Sequence, residues 1–474
     1  MKRFLFLASF LFFSGSLFSQ NGTLDRIEDL FTTKTVYVPT PDGASLATDL
    51  YLPITSDSLV VDIDIPNIGS GSIELLQRGV QYIYYPTLDS MPNPNPYELP
   101  VILTRTTYGK DDMAILGYVF SVLGYAVAIQ DNRGINGSND IWMPLYTDGW
   151  DKTPYTDYMP EPILPDGYEG NPTEYEDGIY CLEYVLNDWT RDYDVNDDGV
   201  IDFVDKVCNG SIFYFGASAL ANSGLLMSLA HKQKYDEPGL KGFLNLIASV
   251  EHYNYTLFRN GMFKQGLVEG WLNGQIVFFS PDVNNSDDSW YNFNQTFSDF
   301  GLNTRGELLD SVLDMLSSGI AEEKAIYYPN SNLRKAFDAS RAYVDENGNS
   351  DPTGAYSRYS NVDMPIYHTT GWFDIFFNGQ LNVWRESKKG MNPNSPNYKK
   401  QKLIIGPWQH YYPAVQTAGD LTFPPNVGDV LGVTANVAEG VDITESLLNL
   451  NLEDLLKSEL FSFVRTSANF NEYK

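Results

Sequence analysis

The 474-residue chain carries 31 Lys and Arg against 61 Asp and Glu, a formal charge of −30, with an isoelectric point near 4.3. That balance excludes nucleic acid and anionic membranes as partners, since both select basic patches. A hydrophobic content of 43% with 14% aromatics is that of a globular protein with a sizeable core, in one large domain with insertions or in two domains.

The N-terminus, MKRFLFLASFLFFSGSLFSQ, places Lys2 and Arg3 before an apolar run from Phe4 to Phe13 and small residues from Ser14 to Ser19. This is the layout of a signal peptide over residues 1–20, too short and wrongly flanked to span a membrane. It predicts cleavage near Ser19 or Gln20 and export to the periplasm or the extracellular space. No later segment has the apolar length to cross a bilayer, so no membrane span is expected.

Val36 to Pro53 alternates apolar and polar residues around Pro-Asp-Gly, a hairpin pattern. The next forty-odd residues, with Gly-Ser and Pro-Asn clusters, read as an irregular surface insertion. Leu99 to Lys110 (LPVILTRTTYGK) and Gly124 to Gly134 (GYAVAIQDNRG) each read as a buried strand ending in a polar loop. The Pro-, Asp- and Tyr-rich stretch from Ile141 to Thr173 has no period and reads as a long loop near the functional edge. Glu174 to Trp189 is amphipathic at helical spacing.

Ser211 to His231 (SIFYFGASALANSGLLMSLAH) then passes from a β-branched and aromatic strand to an Ala- and Leu-rich helix, with Ser218 at the junction among tiny residues. A Ser on a tight strand-to-helix turn is the sequence form of a nucleophile elbow; a corner that merely needs small residues would read the same. From 240 to 360, long apolar-periodic runs such as RGELLDSVLDMLSSGIAEEKA predict a helical cap inserted between sheet strands. Asp363 to Asp374 (DMPIYHTTGWFD) and Lys399 to His410 (KKQKLIIGPWQH) return to buried strands with polar ends. Strands alternating with helices make a mostly parallel sheet flanked by helices, an α/β fold. Its core is expected over 21–239 and 361–474.

A serine nucleophile needs a base to accept its proton and a carboxylate to orient that base. The chain has four histidines. His231 belongs to the helix after the elbow, while His252 and His368 sit in or before strands and loops and read as packed or surface residues. His410 lies just past a strand, at the carboxyl end where α/β proteins place their sites. Asp374 ends a neighbouring strand at the same edge. The order Ser218, Asp374, His410 is that of the α/β-hydrolase triad.

The chain resembles the serine hydrolase family of cocaine esterase, α-amino-acid ester hydrolases and X-Pro dipeptidyl peptidases, from about Val36 to Phe463. The marks are PDGASLATDLYLP, LPVILTRTTYGK, AIQDNRG followed by GSND, the elbow FGASALA, GWFD and LIIGPWQH. The resemblance implies an α/β-hydrolase fold, nucleophile Ser218, acid Asp374 and base His410. It implies an oxyanion hole made by the Tyr108 hydroxyl and the Ala219 N–H. Asp131 and Arg133 match structural positions expected to brace their loop by an ion pair. Ala219 and Ala221 stand where the family usually has Tyr and Gly, which makes one pocket wall smaller. The family's C-terminal jelly-roll domain is expected to be absent from this chain. Tyr255 and Thr256, upstream of GMFKQG, stand where the amino-acid-ester branch has acidic residues, which weakens a free-amine substrate. The resulting expectation is an exported serine hydrolase of carboxylic esters or related acyl amides, acting on small molecules without an organic cofactor. X-Pro dipeptide release and α-amino-acid ester or β-lactam acylase chemistry are the alternatives. A calcium-dependent binding module on an inactive hydrolase fold is the alternative of another class.

Residues 194–205, DVNDDGVIDFVD, fit a calcium-loop template. Asp194, Asn196 and Asp198 fall at positions one, three and five, Gly199 at the sharp turn, and Val200 offers its carbonyl at seven. Ile201 is the apolar anchor, with Asp202 at nine and Asp205 at twelve. Asp at twelve resembles dockerin-type loops more than signalling EF-hands. An acidic solvated loop would share the charge but not Gly199 and Ile201. The predicted ion is structural, held in an insertion on the side where the chain enters the elbow strand. Cys181 and Cys208 fall early in a helix and ahead of the next strand, toward opposite ends of the sheet. A disulfide would require their Cα atoms within about 7 Å, and the sequence leaves that pairing open.

Overall fold

The structure is a computed structural model. It describes chiefly residues 31–53, 98–138, 177–249 and 362–410 with short gaps, and shorter pieces at 60–65, 69–74, 82–84, 90–92, 255–271, 343–344, 356–357 and 417–424. The signal segment, the 141–173 loop, His252, most of the cap and the C-terminal stretch after 424 lie outside the described residues.

Among the described residues eight strands form one central sheet: β1 (Phe31–Pro39), β2 (Ser45–Pro53), β3 (Leu99–Thr106), β4 (Ala126–Asp131), β5 (Cys208–Ala217), β6 (Gly242–Leu246), β7 (Ile366–Phe373) and β8 (Lys402–Gln409). Their spatial order is β1-β2-β4-β3-β5-β6-β7-β8. β1 and β2 are the expected hairpin, and β2 is antiparallel to β4. Every pairing from β4 through β8 is parallel. Strands covered on both faces are near-continuous apolar runs, because neither side faces water, and polar residues enter them chiefly toward the carboxyl end. β3, β4 and β6 accordingly bury every residue.

Helices α1 (Ala114–Val122), α2 (Asp177–Glu183), α3 (Ala219–Tyr235), α4 (Phe377–Gly390) and α5 (Pro396–Lys399) supply the connections. After α2 the chain winds as a π-helix over Tyr184–Asp188. α3 buries residues on every side, as an apolar helix in a large core does. Tyr214 of β5 ties the sheet to this helix: its hydroxyl accepts from the Arg105 N–H at 2.9 Å and donates to the Leu220 carbonyl at 2.9 Å.

Three expectations are corrected. The cap cannot begin at residue 240, because Gly242–Leu246 is a central strand hydrogen-bonded between β5 and β7. The stretch after β2 is not wholly irregular: Val60–Ile65 pairs with Gly69–Glu74, and Tyr82–Tyr84 with Ser90–Pro92. Asp131 and Arg133 do not brace their loop by pairing with each other. Arg133 forks onto Asp177, Nε to Oδ2 at 3.0 Å and an Nη to Oδ1 at 2.6 Å, while Asp131 accepts the backbone N–H groups of Lys110 and Gly137.

Cys181 and Cys208 are buried free thiols. Burial pushes both up to about 12, so neither supplies a thiolate nucleophile near neutral pH. Among the described residues no helix is long and apolar enough to cross a membrane.

Candidate active site

The carboxyl edge of the parallel strands gathers the loop after β3, the elbow after β5 and the ends of β7 and β8. The chain reverses direction across the sheet between β3 and β5, the kind of switch point where α/β sheets open a crevice. Tyr108 and Ser218 flank it.

Ser218 holds φ 52° and ψ −123°, a conformation that a residue with a Cβ adopts only under strain, of order 1–3 kcal/mol. Neighbouring groups enforce it. The Ser218 N–H donates to the Leu246 carbonyl at the end of β6 (2.9 Å), and the Ser218 carbonyl accepts from Ala221 N–H (3.1 Å), opening α3. Gly216 permits the close approach: a Cβ there would lie 2.6 Å from the Ala221 Cα. The Gly the sequence seemed to lack after the nucleophile is therefore not needed in this elbow, since Gly216 and Ala221 face each other.

The Ser218 hydroxyl lies 3.1 Å from Nε2 of His410, and His410 Nδ1 lies 3.1 Å from Oδ2 of Asp374. Both His410 and Asp374 are buried. Asp374 uses its other oxygen, Oδ1, to accept the Phe376 N–H at 2.6 Å. The Phe376 ring stands edge-on to the imidazole at 4.9 Å, with an interplanar angle of 88°. The approach of Asp374 and His410 is set by the register shift between Gly371 and Phe373 in the β7–β8 ladder. A Cβ on Gly371 would collide with the Trp408 carbonyl, so GWFD needs its glycine to let β8 come close.

The other two described histidines, His231 and His368, are placed elsewhere. His231 is buried with Nδ1 2.7 Å from the Glu237 carbonyl. His368 is buried inside β7 beside the Asn245 amide, and burial pushes it down to about 3. Neither ring reaches Ser218.

Tyr108 is buried at the edge of the crevice, its N–H donating to Thr106 Oγ1 at 2.9 Å. Its hydroxyl accepts from the indole N–H of Trp271 at 3.2 Å. Ala219, the first residue of α3, presents an N–H that has no carbonyl one turn earlier in the helix. The positive end of α3 favours an anion at that place. Sequence reasoning did not find Trp271 or Phe376. Each acts through a contact between segments distant in the chain or through a backbone bend, and neither leaves a periodic or spacing signal.

Lys264 donates to the Tyr255 carbonyl at 2.6 Å. Its pKa is lowered by burial first and by the charge of Arg259 second, with Asp374 acting in the opposite direction. Three large apolar side chains next to Asp374 are exposed: Trp372 (58%), Phe373 (46%) and Ile375 (45%).

The calcium-loop segment lies at the opposite edge, where the Leu99 N–H of β3 donates to the Val207 carbonyl and the Val207 N–H donates to the Trp189 carbonyl. Thr190–Tyr193 and Phe203–Lys206 form an antiparallel pair around it. The Asp194 carboxylate accepts the N–H of Asp198 (3.2 Å) and of Gly199 (2.7 Å), and Gly199 takes φ +82°. Asp205 turns back onto the Lys206 N–H. Among the described residues no three His, Cys, Asp or Glu are gathered closely enough to hold a metal ion. Asn196 lies outside the described residues.

An eight-stranded sheet of this order, with a strained serine after β5 and an Asp–His pair after β7 and β8, defines an α/β-hydrolase. The family described as X-Pro dipeptidyl-peptidase (S15 family) matches residues 82–412, a span that contains Tyr108, Ser218, Asp374 and His410. The chain belongs to that family. Similar solved structures include an aminopeptidase from the marine sediment archaeon Thaumarchaeota archaeon, at 15% identity and TM-score 0.44, covering 83% of this chain and 52% of that one. An α-amino acid ester hydrolase matches at 15% identity and TM-score 0.44, covering 93% and 55%. A CocE/NonD family hydrolase from Staphylococcus aureus matches at 12% identity and TM-score 0.40, covering 80% and 47%. The chain thus spans about half the length of these structures. No curated protein matches it.

Proposed function

We propose that this chain is an exported serine hydrolase that cleaves carboxylic esters through an acyl-enzyme intermediate. The observation that carries the reading is the continuous relay from Ser218 through His410 to Asp374, with 3.1 Å at each link. Ser218 Oγ attacks the acyl carbonyl as His410 Nε2 takes its proton, and Asp374 holds the imidazole with its proton on Nδ1. The Tyr108 hydroxyl and the Ala219 N–H stabilise the tetrahedral oxyanion. His410 then protonates the leaving alcohol, and water repeats the sequence on the acyl-serine.

The family description favours a second reading, release of X-Pro dipeptides. That reaction must hold the ammonium of a peptide's free N-terminus. Beside Asp374, the exposed Trp372, Phe373 and Ile375 suit an apolar acyl or leaving group better than an ammonium. Hydrolysis of p-nitrophenyl esters should exceed that of Xaa-Pro anilides. A fluorophosphonate should label Ser218 and leave the Ser218→Ala variant unlabelled. Equal labelling of both would overturn the assignment; faster turnover of Xaa-Pro anilides would move the substrate to peptides.

We also propose that residues 194–205 take up a structural calcium ion. The support is the template spacing together with the Asp194–Gly199 turn, in which the carboxylate at position one receives the N–H groups that follow it. Binding would draw Asp198, Asp202 and Asp205 inward with Asn196 and the Val200 carbonyl. Because the segment feeds β5 from the edge away from the triad, chelation is expected to lower Tm while kcat at room temperature holds. Thermal melting with and without EDTA reads this directly, and identical curves would count against it.

A further inference from the structure

Trp271 belongs to the segment between β6 and β7, far in sequence from the loop after β3, yet its indole N–H meets the Tyr108 hydroxyl at 3.2 Å. Chemistry gives this contact a direction. An indole nitrogen donates and cannot accept. Trp271 therefore occupies a lone pair of the phenol oxygen, and the phenol's own proton cannot turn back toward the indole. The tryptophan thereby restricts the directions open to that O–H.

We propose that Trp271 is a positioning residue of the oxyanion hole, holding the Tyr108 hydroxyl so that its proton points at the developing oxyanion. The inference rests on the reading of Tyr108 as an oxyanion donor. Two effects combine. A hydroxyl that accepts one hydrogen bond becomes a stronger donor in the next, because the chain of dipoles polarises. A fixed rotor also avoids the reorganisation that a freely turning hydroxyl would undergo as charge appears, and preorganised donors owe their effect to that avoidance. The Tyr108 backbone is held through its N–H to Thr106 Oγ1, and Trp271 adds a constraint at the hydroxyl itself.

The test is a double-mutant cycle on a p-nitrophenyl ester with the full chain. Trp271→Phe keeps an aromatic ring and deletes the N–H; it should lower kcat roughly three- to tenfold with KM within about twofold. Tyr108→Phe should lower kcat on the order of 100-fold. In the Tyr108→Phe background, Trp271→Phe should cost nothing further, since the hydroxyl it acts through is gone. Benzothienylalanine at position 271 puts sulfur in place of the N–H in a ring of the same shape, and should reproduce the Trp271→Phe loss without a packing change. Equal loss in both backgrounds, or full activity of the benzothienyl variant, would overturn the proposal while leaving Tyr108 in its role. An unchanged kcat for Tyr108→Phe alone would instead remove the oxyanion reading on which it stands.

Discussion

Replacing Ser218 by alanine is expected to lower kcat by about 10⁶-fold, the loss typical of removing a triad nucleophile. A residual rate of about 10³–10⁴ over the uncatalysed reaction should persist from binding and the oxyanion donors. The fold should survive, because the backbone hydrogen bonds that hold the elbow, Ser218 N–H to Leu246 and Ala221 N–H to Ser218, do not involve the side chain. A second substitution separates function from stability at the same position. Ser218 sits at φ 52° and ψ −123°, where only glycine is at ease. Ser218→Gly should therefore abolish turnover equally and raise Tm slightly, since the strain stored at a functional residue is released. Steady-state kinetics and calorimetry on the two variants read both effects. A Ser218→Ala variant that still turns over ester at the wild-type rate would end the serine-hydrolase reading.

The site was legible because parallel strands inside an α/β sheet are written as short, mainly apolar runs. β3, β5, β7 and β8 each end in a short polar motif at the same edge, and four such runs in chain order suffice to bring Ser218, Asp374 and His410 together. β6 was hidden for the opposite reason. It has five residues, opens on Gly242 and contains Asn245, whose place in a buried sheet makes sense only beside His368 and Gln380, which contact it from β7 and α4. The Asp131 and Arg133 partners were misjudged because neighbours in a loop diverge at once. Arg133 finds its carboxylate on Asp177, in α2. Trp271 shows the limit most clearly, for a single indole in a non-repeating segment gives no sign of which hydroxyl it will reach.

Asp374→Asn should cost about 10⁴-fold in kcat, and the surroundings of Asp374 explain why asparagine cannot escape the loss. Oδ1 of Asp374 accepts the Phe376 N–H, and Oδ2 faces His410 Nδ1. An asparagine must give its single oxygen to the Phe376 N–H, because the flipped amide would set two donors against each other. Its NH₂ group is then turned toward His410 and calls for an acceptor at Nδ1. The imidazole answers by carrying its proton on Nε2, the nitrogen 3.1 Å from Ser218 Oγ, where it can no longer take the serine proton. The substitution is nearly isosteric, and the edge-on Phe376 ring keeps the imidazole in place, so Tm and KM should change little. Removing the pinning should weaken the penalty. Breaking the Asp374–Phe376 contact by an amide-to-ester substitution at position 376 deletes the N–H that fixes the amide without changing the side chain, and in that background the step from Asp to Asn should cost distinctly less than 10⁴-fold. A constant penalty in both backgrounds would show that the amide's orientation is not what sets the tautomer. Phe376→Leu, which keeps the N–H and removes the ring, reads the aromatic contact separately.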